Sequence, residues 1–317
     1  MGKLASLRGS SEDSDDVGVW SLSELHDKYN NVELTGQQWG AVGRGLYSAF
    51  PASIPKLPPG VYSLDMDNHT NKPIFVYRNV KADDVYRFPD SLADHMVEEI
   101  ERFWKRASIF DKTGFLHRRG YLLYGSAGTG KSTIVQQIMT DVVRRGDLVL
   151  LCNHPHVLNT ALEELRKTEP ERNVVCIFED IDAIVSKFGE DIILSILDGA
   201  NMINHVLNIA TTNYPEKLDK RLVSRPRRFD RVIKILPPSD SVRVAFLKKK
   251  LPKGENLKKW TEGTKGMSFA GVAETIISVC CLGNAFDESV KAVKELETTS
   301  PTSEEFGSKV GFNNKED

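Results

Sequence analysis

The stretch Tyr121–Thr133, YLLYGSAGTGKST, constrains this chain more than any other. An apolar run ends at Tyr124, glycines follow at 125, 128 and 130, and Lys131 and Ser132 open an amphipathic segment that continues through Val143. Strand, glycine-rich loop and helix start in this order form a phosphate-binding loop, G-x-x-x-x-G-K-S. The residue types follow from the chemistry. Glycines let backbone N–H groups come onto phosphate oxygens, while the first helical turn adds unpaired N–H groups and partial positive charge. The candidate cradle is therefore Gly125, Ser126, Ala127, Gly128, Thr129, Gly130, Lys131, Ser132 and Thr133, with Lys131 reaching the outer phosphates and the Ser132 hydroxyl placed for magnesium. A turn that binds nothing has no use for both a Lys and a Ser directly after its last glycine.

A phosphate loop alone says only nucleotide; the run Val174–Asp182, VVCIFEDID, says more. An apolar strand that delivers acidic residues at its C-terminal end puts carboxylates beside the metal and the terminal phosphate, because ligands of such sheets bind outside the carboxyl ends of the strands. Glu179 and Asp180 are the candidates, one to hold magnesium and the other to activate water. Thr211, Thr212 and Asn213 end the next apolar strand, where the uncharged Asn213 amide could hold the attacking water by hydrogen bonds. Arg225, Arg227 and Arg228 then cluster around Pro226 and Phe229.

Around these motifs, five short apolar runs alternate with helical stretches: the one ending at Tyr124, then Leu148–Cys152, Asn173–Phe178, His205–Thr211 and Val232–Leu236. That alternation predicts an α/β core with a five-stranded parallel sheet covered on both faces. Beyond Pro237 and Pro238 the pattern becomes helix upon helix, predicting a small α-helical lid over residues 238–297, after a core over residues 89–237. Residues 17–88 form a small N-terminal α+β region, with a short helix over Leu22–Tyr29 and a hairpin from Val61–Met66 and Ile74–Val80. Its two readings are docking or oligomer positioning, and packing against the core. Thr35–Phe50 has enough glycine to read as irregular, and the polar segments 1–16 and 298–317 read as disordered tails.

Hydrophobic content of 40%, charged content of 27% and a net charge of −2 place the chain of 317 residues among ordinary globular proteins and argue against a globally basic nucleic-acid binder. Cys152, Cys176, Cys280 and Cys281 sit in apolar runs without zinc or disulfide spacing, so buried free thiols in a reducing compartment are expected. No run reaches the roughly 18 to 20 apolar residues of a membrane span, and no apolar signal core opens the chain. The working expectation is a cytoplasmic protein.

Four stretches in one order, GSAGTGKST, CIFEDIDAI, ATTNYPEKLD and SRPRRFDRVIKI, resemble the AAA family of ATPases over about Asp90–Cys281. RRGYLLYGSAGTGKS, the EDID order and LSILDGANMINHVLNIATTN are most similar to the subgroup of the mitochondrial Rieske-protein translocase. The resemblance implies ATP with magnesium, a helical lid, and a homo-oligomeric ring, commonly of six subunits but seven in that translocase. It also implies that Arg225 and Arg228 act as arginine fingers on a neighbour's site, and that the substrate is a protein.

Departures from the pattern limit what carries over. Most members read Asp then Glu where this chain has Glu179 then Asp180, which places Glu179 at the metal position and Asp180 at the base position with one methylene less, and leaves open which does which. Between Cys152 and Glu163 there is no aromatic-apolar-Gly pore loop; His154 and His156 flank Pro155 there, read as a surface turn. The lid sequence GMSFAGVAE has Phe269 and Gly271 where Gly and Asp are usual, and no second-sensor arginine. The translocase's transmembrane helix is missing too. Basic clusters at Lys248–Lys250 and Lys253–Lys259 keep a nucleic-acid-associated motor or loader as the alternative, and the Glu-Asp order a non-hydrolysing switch.

Overall fold

The computed structural model describes residues 38–43, 46–50, 54–67, 70–79, 92–198, 203–223 and 227–298. The expected tails, the helix over Leu22–Tyr29 and the candidate finger Arg225 lie outside the described residues, Thr298 excepted. In chain order the strands are β1 (Gln38–Gly43), β2 (Leu46–Phe50), β3 (Gly60–Asp67), β4 (Lys72–Tyr77), β5 (Arg118–Tyr124), β6 (Leu148–Leu151), β7 (Val174–Phe178), β8 (Val206–Thr212) and β9 (Arg231–Lys234). The helices are α1 (Leu92–Trp104), α2 (Ala107–Thr113), α3 (Lys131–Arg144), α4 (Pro155–Thr168), α5 (Ile181–Phe188), α6 (Glu190–Asp198), α7 (Lys220–Val223), α8 (Asp240–Lys250), α9 (Leu257–Gly263), α10 (Phe269–Ile276) and α11 (Phe286–Thr298).

The main sheet is larger than the five strands predicted. Its order is β4-β3-β6-β7-β8-β5-β9, parallel throughout except for β4, which runs antiparallel to β3. The five predicted strands are contiguous within it, and the N-terminal hairpin extends them by pairing Gly60–Ser63 with Leu148–Leu151 of β6. The reason is the β6 edge. Left as an edge, β6 would present a row of unpaired backbone groups beside a buried core, and β3, whose Val61, Tyr62, Ser63 and Leu64 are all buried, satisfies them. The hairpin thus continues the core sheet instead of standing apart from it.

Alternation along the strands assigns each side chain to a face. Tyr121 and Leu123 of β5 join Val175 and Ile177 of β7 on the face covered by α1 and α3, through Met96, Ile100, Val135 and Ile138. Leu122 points the other way and packs with Leu150, Cys176 and Ala210 beneath α4 and α6. The central strands β6 and β7 are apolar and almost wholly buried, as strands covered on both faces of a parallel sheet are, whereas the edge strand β9 is mostly exposed.

Two expectations change. Within the stretch read as irregular, Gln38–Gly43 and Leu46–Phe50 pair antiparallel as β1 and β2, with a shift of register between Ala41 and Gly43. Glycines inside a strand mark such irregularities and hide the alternation that would reveal it. Nor are all the cysteines buried. Cys152 and Cys176 are, but Cys280 is half-buried and Cys281 exposed, because both fall in a π-helical turn, Ile277–Cys281, at the end of α10.

The lid has its own core of Leu247, Trp260, Met267, Val272, Ile276 and Val293. Trp260 is 1% exposed, its indole N–H donates to Glu255 Oε2 at 2.9 Å, and its ring meets Phe286 edge-on at 4.8 Å. Trp260→Ala is expected to cost the lid about 3 to 5 kcal/mol by leaving a cavity, read as a lowered first transition in calorimetry. Among the described residues, no helix is long and apolar enough to cross a membrane.

Candidate functional site

Several of the predicted site residues meet at the C-terminal end of the sheet. A cleft of about 590 Å³ is lined by Ala127, Gly128, Gly130, Lys131, Ser132 and Thr133 of the phosphate loop and α3, by Asp180 after β7, and by Thr211 and Asn213 at the end of β8. Phe246, Lys250, Phe269, Ala270 and Ala273 of the lid close its other side. Each group arrives at the end of its own strand because parallel strands align their carboxyl ends.

Local geometry explains the loop sequence. Gly128 has a φ of 73°, and a Cβ there would lie 2.6 Å from the Ala270 methyl; at Gly130 a Cβ would crowd the Phe269 ring at 3.2 Å. The loop is therefore a glycine cradle that side chains would fill, with the lid resting on it, and the fit to a phosphate chain is good. Lys131 is buried, and its ammonium donates to the Gly125 and Ser126 carbonyls at 2.7 and 2.8 Å. Burial lowers its pKa, while the Asp180 carboxylate works against that shift.

Asp180 has a left-handed backbone (φ 47°), a conformation that Asp tolerates better than most residues. It breaks the strand, starts α5 and puts the carboxylate on the cleft. Glu179 precedes it and does not line the cleft; partial desolvation, and then the neighbouring Asp180 charge, push its carboxyl pKa up. Two threonines, noted in the sequence only as strand ends, fix this corner. Thr211 Oγ1 accepts the Asp180 N–H at 3.1 Å, and Thr212 Oγ1 donates to Asp182 Oδ1 at 2.6 Å while accepting the Tyr214 N–H at 3.0 Å. The available signal was two hydroxyls at fully buried strand positions, which require partners.

Arg228 and the histidine pair fall elsewhere. Arg228 is 4% exposed and bonded within this chain: Nε and Nη2 donate to the two Asp198 oxygens at 2.6 and 2.7 Å, and Nη1 donates to the Arg221 carbonyl. Its loop is fastened beside the start of β5, where the Gly120 N–H donates to Asp230 Oδ2 at 2.9 Å and the Asp230 N–H to the Gly120 carbonyl at 2.8 Å. Five residue steps of strand take Gly120 to Gly125 at the phosphate loop, roughly 16 Å, and Arg228 does not line this chain's own cleft. His154 and His156 are exposed around Pro155, with their rings edge-on to Phe188 at 5.7 and 6.2 Å. Among the described residues, no cluster of three His, Cys, Asp or Glu side chains could hold a metal ion.

Comparison with known proteins agrees with this geometry. Residues 121–236 match the model of the ATPase family associated with various cellular activities (AAA). The chain is 30% identical over 190 residues to Protein SAV of Sulfolobus acidocaldarius, covering 53% of this chain and 24% of that one. It is 27% identical over 193 residues to the probable mitochondrial chaperone BCS1-B of Dictyostelium discoideum (48% and 42%), and 30% identical over 169 residues to a proteasome-activating nucleotidase of Methanococcus maripaludis (48% and 41%). The matched stretch thus spans less than half the length of each of these relatives. From phosphate loop to the strand after the arginine cluster, residues 121–236 of this chain are an ATPase domain of the AAA family.

Proposed function

We propose that this protein hydrolyses ATP with magnesium and works as a homo-oligomeric ring, of six or seven subunits, that remodels or moves a protein. The observation that carries the reading is the single cleft in which the phosphate loop, Asp180 and Asn213 face one another beneath the lid. In this reading the cradle from Gly125 to Thr133 binds the phosphates and Lys131 meets the outer ones. Asn213 orients the attacking water, and Asp180 takes its proton. Magnesium, when bound, would offset charge on the phosphates; Ser132 lines the cleft to hold it, and Glu179, which does not line the cleft, would have to turn toward it to be the second ligand. Phe246 and Phe269, edge-on at 5.5 Å on the lid side, offer an apolar wall for the base. Arg225 and Arg228 belong to the neighbouring subunit's site, with Arg228 needing release from Asp198 to reach it.

A protein substrate is favoured over nucleic acid for two reasons. Relatives are named for proteasome activation, chaperone action and vesicular fusion, all of which concern proteins. Two of the lid's basic residues are also engaged within the chain: Lys250 lines the cleft, and the Lys259 ammonium sits 4.5 Å from the centre of the Phe286 ring. A reducing, cytoplasmic setting fits the free thiols of Cys152 and Cys176, whose pKa values burial pushes up, that of Cys176 to about 12.

Phosphate release, measured with and without a single-stranded DNA over a salt series, tests both halves of the reading. Asp180→Asn should keep ATP affinity within a few-fold and slow hydrolysis by about 10² to 10⁴, the usual worth of a positioned base. Glu179→Gln should raise the magnesium concentration required. The opposite pattern would exchange the two roles, and release stimulated by DNA and abolished by salt would favour the nucleic-acid motor.

A further inference from the structure

The first turn of α10 rests on the phosphate loop, where the Ala270 N–H donates to the Gly128 carbonyl at 3.3 Å. How that turn is held decides how firmly the lid sits over the cleft. Ser268 caps the helix: its hydroxyl accepts the Gly271 N–H at 3.0 Å. In a capping box, the residue three positions on returns a carboxylate or amide to the N–H of the cap residue. Here that residue is Gly271, which has no side chain to return.

The missing half comes from another helix. The Ser268 N–H donates to Oε1 of Glu297, in the last turn of α11, at 3.0 Å. A Cβ placed on Gly271 would lie 2.4 Å from Glu297 Oε1 and 2.9 Å from its Cδ, so the Glu297 carboxyl group fills the space that a side chain at 271 would take. The box is split between two helices, and the absence of a side chain at 271 is what admits the second helix. A carboxylate at this place is also favoured by the partial positive charge of the helix start.

We propose that Glu297 is a positioning residue for the nucleotide cleft. It completes the cap of α10 from α11, holds Phe269 and Ala270 on the phosphate loop, and thereby ties the C-terminal helix of the lid to the state of the cleft. The proposal rests on the reading of that cleft as a nucleotide site.

The test uses the full chain and titration with a fluorescent ATP analogue, together with hydrogen exchange of residues 125–130 and 268–271. Glu297→Ala should weaken nucleotide binding on the order of tenfold, as expected for loss of one charge-assisted hydrogen bond, and should speed exchange in both segments. Glu297→Gln, which keeps an accepting oxygen, should lie between the two. Gly271→Glu in the Glu297→Ala background rebuilds the box within α10, so affinity and slow exchange at 125–130 should return although α11 no longer contributes. Unchanged affinity and exchange in Glu297→Ala would overturn the proposal, as would a loss that Gly271→Glu does not repair, since that would mark Glu297 as a general support of the lid. If the unsubstituted protein bound no nucleotide, the reading of the cleft would fall, and the exchange comparison would still decide the role of Glu297.

Discussion

Lys131→Ala is expected to remove ATP binding at concentrations that saturate the unsubstituted protein. The cleft offers phosphate oxygens backbone dipoles and this buried ammonium from the loop side, and hydrogen bonds to charged groups are the strong ones, each about 1.5 to 3 kcal/mol. Since about 1.4 kcal/mol is tenfold in affinity, two such bonds to the outer phosphates amount to roughly a hundredfold or more. The substitution also takes the ammonium from the Gly125 and Ser126 carbonyls, which it holds at 2.7 and 2.8 Å, so the loop loses its internal brace. Calorimetric titration with ATP and with ADP checks this, and an unchanged affinity would remove the phosphate-loop assignment. The pH dependence has a definite sign. Because burial lowers the Lys131 pKa, the free protein loses this charge at a lower pH than an ordinary lysine would, and ATP affinity should begin to fall correspondingly earlier on the alkaline side.

The second large effect concerns the arginines. In the ring reading, Arg225→Ala should cut turnover by about 10³ to 10⁵, the worth of an arginine finger in nucleotide hydrolases, with ATP binding nearly intact. Mixing it with Lys131→Ala subunits, which carry sound arginines, should recover some hydrolysis where the two kinds of subunit meet. Arg228 needs a different design, because its guanidinium already holds Asp198 and the Arg221 carbonyl. Arg228→Ala would remove both a finger and this tether. Asp198→Asn weakens the tether alone, so it separates the two roles: turnover that falls with Asp198→Asn assigns Arg228 to holding its loop in place, whereas turnover that holds or rises assigns it to the neighbour's cleft. Failure of every mixture to recover activity, with co-assembly shown by mass measurement, would count against fingers acting between subunits.

Where a motif is carried by contiguous residues, the sequence was enough to locate it. Glycine spacing, a Lys-Ser pair at a helix start and acidic residues closing an apolar strand are local patterns, and the sheet topology brings Lys131, Asp180 and Asn213 to one cleft. The helical lid was legible for the same reason, since its apolar residues recur at helical spacing. Two features were not legible in this way. The strand pairing of β3 with β6 joins residues almost ninety positions apart, and nothing local distinguishes a hairpin that docks from one that extends a sheet. The burial of Arg228 depends on an aspartate thirty residues earlier, invisible in a motif that reads as an exposed basic cluster.

Gly271 shows the division most clearly. By itself the sequence established a departure, a glycine where the resembled family usually has Asp, and it determined the phosphate loop and the α/β alternation through interactions within a few residues. Only the tertiary structure decided what stands in that space, because Glu297 lies twenty-six residues further on in another helix, and its 3.0 Å bond to the Ser268 N–H exists only once α10 and α11 have packed.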